Sequence, residues 1–70
     1  MNLKENVMKL LLEDGFNKAF LTAATESGAG TNFDVAENYA QGAINENPNE
    51  TNASVLAGKA ISLIVASFGL

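Results

Sequence analysis

Apolar residues near the start of the chain recur at every third or fourth position: Leu3, Val7, Leu10 and Leu11 form one stripe, which Met8 and Leu12 widen. Lys4, Glu5, Asn6, Lys9 and Glu13 fall on the other face, so the spacing predicts an amphipathic helix. Its start is marked chemically. Asn2 can accept a hydrogen bond from an N–H group left free in the first turn, and Glu5 stands three residues on, as in a capping box. The predicted helix covers residues 2–14. Gly15 is either a stop or a kink, because Phe16, Ala19, Phe20 and Ala23 continue at similar spacing. A break followed by a second helix over 16–25 is the preferred reading.

Two glycines within three residues, Gly28 and Gly30, leave the backbone too free to hold a helix and predict a connection over 26–31. Thr31 then reads as the next N-cap, with Asp34 in the first turn, where the positive end of the helix dipole favours an acid. A third helix is predicted over 32–44, with Phe33, Ala36, Tyr39, Ala40, Ala43 and Ile44 on its inner side. Asp34, Glu37, Asn38 and Gln41 take the outer side. The segment NENPNETN, residues 45–52, holds four Asn and the only Pro, and predicts an exposed loop.

Residues 53–68 carry a single charge, Lys59, and are predicted to form a fourth helix that is apolar nearly all round. Ser54, Gly58, Ser62 and Ala66 fall every fourth residue within it and make a ridge of small side chains along which another helix can approach closely. A bilayer core asks for about 20 apolar residues. This run is shorter and has Lys59 inside it, which disfavours a simple membrane span. The β-branched stretch from Ile61 to Phe68 also suits a buried strand, but no partner strand is evident, so helix is preferred. The fold expected is therefore all-α: a small bundle of three or four short helices forming a single domain over residues 1–70, with the apolar C-terminal helix at its centre. Its expected core is Leu3, Val7, Leu10, Leu11, Phe16, Phe20, Phe33, Tyr39, Ile44, Leu56, Ile61, Leu63, Ile64 and Phe68.

Composition sharpens this picture on one point. With 70 residues, no Cys and no His, the chain is near the size at which one core stabilises only modestly, and neither disulfides nor the usual zinc ligands are there to help. Association with other protein is the remaining device. Apolar residues make up 47% and charged residues 17%, a balance lean in the groups that keep a small monomer soluble. Four Lys against eight acids give a net charge of −4, which lacks the basic footprint of a nucleic-acid binder. Five of the acids lie between Glu26 and Glu50, where there is no base.

Candidate chemistry adds little. Without His or Cys the common general base, the thiol nucleophile and the soft metal ligands are missing, and no catalytic residue, metal or cofactor is expected. Asp34 with Glu37 is explained by the helix dipole alone. The stretch SGAGT, residues 27–31, lacks the Lys and the Gly spacing of a phosphate loop, and residues 45–50 lack the order of a calcium loop. Two sequons, Asn49-Glu50-Thr51 and Asn52-Ala53-Ser54, are read as chance in Asn-rich sequence, since no apolar signal segment opens the chain. That absence points to the cytoplasm or the inside of a particle.

The function expected is that of a non-catalytic structural or assembly subunit, packed with copies of itself as a homo-oligomer or with a larger protein, such as a minor component of a virion. Ser54, Gly58, Ser62 and Ala66, with Leu56, Ile61, Leu63, Ile64 and Phe68, are the candidate interaction residues. Two alternatives stand beside it: a membrane-associated protein anchored by residues 53–70, and an acidic adaptor or inhibitor that meets a basic surface through residues 26–50.

Overall fold

A computed structural model describes residues 1–70 as four α-helices: α1 (Leu3–Glu13), α2 (Gly15–Ala24), α3 (Asn32–Glu46) and α4 (Ala53–Phe68). Each helix packs against the other three, so the chain is an all-α bundle. Its boundaries are set by side chains that catch the free backbone groups at helix ends. Asn2 Oδ1 accepts from Glu5 N–H at 2.8 Å and starts α1. Asp14 leaves helical geometry (φ −74°, ψ 124°), ends α1, and at once caps α2 by accepting from Asn17 N–H at 3.0 Å. Gly15 is thus the first residue of α2 rather than a kink in one long helix.

After Ala24 the backbone continues through one wider turn, Thr25–Ala29, and only Gly28 (φ 96°) and Gly30 (φ 105°) take it out of the helical direction. The expected loop over 26–31 is therefore half built of helix-like turn. Its reversal is pinned by side chains, because Thr25 Oγ1 donates to Asn32 Oδ1 at 2.8 Å and Asn32 Nδ2 donates to Thr22 Oγ1 at 3.3 Å. Thr31 and Asp34 form a reciprocal capping box at the start of α3. That helix runs two residues past its expected end, to Glu46, where Asn47 closes it by donating Nδ2 to the Ala43 carbonyl at 2.8 Å. Asn52 Oδ1 opens α4 by accepting from Ser54 N–H at 2.9 Å, and Gly69 ends it in the left-handed region at φ 68°.

Fourteen residues are buried, all of them apolar, and six of these are alanines: Ala24, Ala36, Ala40, Ala43, Ala57 and Ala60. The larger members are Val7, Met8, Leu11, Leu21, Val35, Leu56, Ile61 and Ile64. From α4 come five of the fourteen, more than from any other helix. Two expected core residues are misplaced: Phe16 is 70% exposed and Phe33 is 55% exposed. Leu3, Leu10, Phe20, Tyr39, Ile44, Leu63 and Phe68 lie half-buried around the core.

The accessible surface is 3935 Å². A folded monomer of this mass, 7.3 kDa, is expected to expose roughly 4,200 Å². The apolar side of α4 is covered by α1, α2 and α3 of its own chain, and the large apolar residues left exposed are Met1, Phe16, Phe33, Val55 and Leu70.

Candidate interaction surface

The candidate interaction residues of α4 separate into two sets. Leu56, Ile61 and Ile64 are buried in the chain's own core and are closed to a partner. Leu63 and Phe68 are half-buried beside it: the Phe68 ring lies 6.1 Å from that of Tyr39, and Leu63 Cδ1 stands 3.6 Å from where a Cβ on Gly42 would be, an ordinary van der Waals contact. Ser54, Gly58, Ser62 and Ala66 point the other way, into solvent. Nothing of the chain comes within 4 Å of where a Cβ on Gly58 would stand. The nine residues therefore do not make one surface, since a helix buried on one side cannot offer the same side outward. Within the bundle, close helix approach uses a different set of small residues, Ala36, Ala40 and Ala43 of α3 and Ala57 and Ala60 of α4.

The surface that the sequence reading missed lies between α1 and α3. There Met8, Leu12 and Phe33 border an open groove of about 700 Å³, with Met1, itself 76% exposed, at its end. Lys4, Glu5, Lys9, Glu13 and Glu37 stand along its rim. A signal for it was present in α1, whose stripe is widened by Met8 and Leu12 beyond what a single inward face requires. Phe33 was the other signal, an aromatic one turn before the inward stripe of its helix.

The acidic residues do not converge, and no three of them could hold one metal ion. Every buried polar side-chain atom has a hydrogen-bond partner, so no orphaned group is left aimed at a ligand. Asp34 is the one carboxyl with a clear shift: the Thr31 backbone N–H, at 3.0 Å, and then the Thr31 side chain hold it below its ordinary value of 3.8. Because the fold favours the charged form, this contribution to stability is complete above the ordinary value and is lost as pH falls through the lower, folded one. In urea titrations the wild-type midpoint is expected to drop from about pH 4 downwards more steeply than that of Asp34→Asn. Parallel curves for the two proteins would show that the carboxylate does not act there.

The chain is thus a small all-α bundle with an open, partly apolar groove between α1 and α3. Compared with protein-family models, with curated proteins and with solved structures, the chain finds no match.

Proposed function

We propose that this chain is a non-catalytic structural or assembly subunit that associates with copies of itself, alone or within a larger multi-component particle. The observation that supports this reading is the α1–α3 groove, where Met1 and Phe33 stand 76% and 55% exposed beside Met8 and Leu12. Large apolar side chains gathered in one place on a small domain mark a surface that protein covers, because leaving them wet forgoes the free energy of burial.

Less supports the other two readings. No helix is long and apolar enough to cross a membrane, and the apolar side of α4 is already occupied inside the bundle. The acids between Glu26 and Glu50 are divided among separate elements, and two serve local structure: Asp34 in the capping box and Glu50 as acceptor from Asn52 N–H at 3.1 Å.

Size-exclusion chromatography with multi-angle light scattering tests the proposal. The weight-average mass is expected to exceed that of one chain, 7.3 kDa, and to rise with concentration. A mass fixed at one chain over the whole range would sink it.

A further inference from the structure

Building on the self-association proposed above, we propose that copies of this chain associate by exchanging α1: the α1–α2 corner straightens at Asp14 into one helix over 3–24, and α1 then packs on α2, α3 and α4 of a second copy. The surface that receives it is the one each chain's own α1 covers now, where Val7, Met8 and Leu11 are buried. Contacts of α1 with the bundle are the same whether made within one chain or between two. The balance is therefore set at the joint.

Between α1 and α2 only Asp14 leaves helical geometry, and in ψ alone: its φ of −74° is near the helical value, while its ψ is 124° instead of about −42°. Helical bonds persist on both sides of it. Asp14 N–H donates to the Leu10 carbonyl at 3.2 Å, and Lys18 N–H donates to the Asp14 carbonyl at 2.8 Å. What a continuous helix would add are the bonds from the N–H groups of Gly15, Phe16 and Asn17 to the carbonyls of Leu11, Leu12 and Glu13. Straightening forms these in each copy and gives up the two side-chain bonds that hold the corner, Asn17 N–H to Asp14 Oδ1 at 3.0 Å and Asn17 Nδ2 to the Leu10 carbonyl at 3.4 Å.

Charge at the joint points the same way. Glu13 is the last residue of α1, where the negative end of the helix dipole disfavours an anion, and Lys18 lies in the first turn of α2, where the positive end disfavours a cation. In a single helix both dipole ends vanish from this place. Asp14 and Lys18 then stand four residues apart with the acid first, the favourable order for an ion pair along a helix.

Sedimentation velocity from micromolar to millimolar concentration compares wild type with two variants of opposite effect, Asp14→Ala and Gly15→Pro. Asp14→Ala removes a cap that exists only in the bent form, so the dimer is expected to tighten about thirtyfold, the loss of one ordinary cap in each of two copies. Gly15→Pro locks the bend. Proline suits the first residue of α2, whose N–H makes no bond within the chain and where a Cβ meets nothing within 4 Å, and it suits the extended Asp14 before it. Inside a continuous helix it is barred, so association is expected to weaken by at least about a hundredfold while the monomer stays folded by circular dichroism. In wild type, a mixture of isotope-labelled and unlabelled chains should give nuclear Overhauser effects between α1 of one chain and α4 of another. Association that Gly15→Pro leaves intact, that Asp14→Ala fails to tighten, or that brings no α1 against α4 between chains overturns the exchange and leaves self-association standing. A wild type that stays monomeric over the whole range overturns both.

Discussion

Leu21→Ala is expected to destabilise the bundle by about 3–4 kcal/mol, while Phe16→Ala costs less than about 1 kcal/mol, although the second removes more apolar atoms. Leu21 is fully buried. Truncating it forfeits its transfer free energy and leaves a cavity that helices held at both ends by caps cannot easily close. Phe16 is 70% exposed and meets Phe20 edge to face, with ring centres 5.1 Å apart. Total stability for a chain of this length is roughly 4–10 kcal/mol, so Leu21→Ala should lower the melting temperature on the order of 20 °C. Thermal melts of both variants decide the point. Equal losses would mean that α2 is rotated from the orientation described.

That contrast also shows where the sequence was legible and where it was not. The starts of α1 and α3 were readable because their signals are local: Asn2 and Thr31 each accept from an N–H group three residues ahead. The inward face of α2 was not. Its true stripe is Asn17, Phe20, Leu21 and Ala24, and it opens with a polar residue that conceals it. Asn17 can occupy that position because its Nδ2 donates to the Leu10 carbonyl at 3.4 Å, which offsets the cost of removing an amide from water. The same disguise recurs in α3, where Asn32 is held by Thr22 and Thr25 on the inward side while Phe33, beside it, faces out. In each helix one phenylalanine, Phe16 in α2 and Phe33 in α3, was mistaken for core, since periodicity alone does not reveal an amide with a partner waiting for it. The groove went unread for a related reason: its two walls come from helices that are distant in sequence.

Gly30→Ala is the second large effect, about 2–4 kcal/mol of destabilisation. Gly30 sits at φ 105° and ψ −151°, a region that residues with a side chain essentially do not occupy. A Cβ there would also stand 2.9 Å from Asp34 Oδ2 and 3.2 Å from Asp34 Cβ. The variant must therefore bear backbone strain and also push aside the carboxylate that accepts from Thr31 N–H. Urea unfolding in wild-type and Asp34→Ala backgrounds separates the two contributions. The cost of Gly30→Ala should be smaller when the carboxylate is already gone, yet not vanish, because the strain persists. Full additivity would mean that the methyl group and the carboxylate never meet.

The six interior alanines carry a consequence for how this fold can vary. A side chain that stops at Cβ has no torsion to freeze, so these positions add nothing to the side-chain entropy surrendered on folding. Neither can they yield by turning to a new rotamer. Any larger residue there must push whole helix axes apart, and its cost spreads over every neighbour at once. Separation between the helices is thus gauged by the backbones themselves, which leaves the bundle intolerant of growth at its centre while its outer surfaces stay free to change.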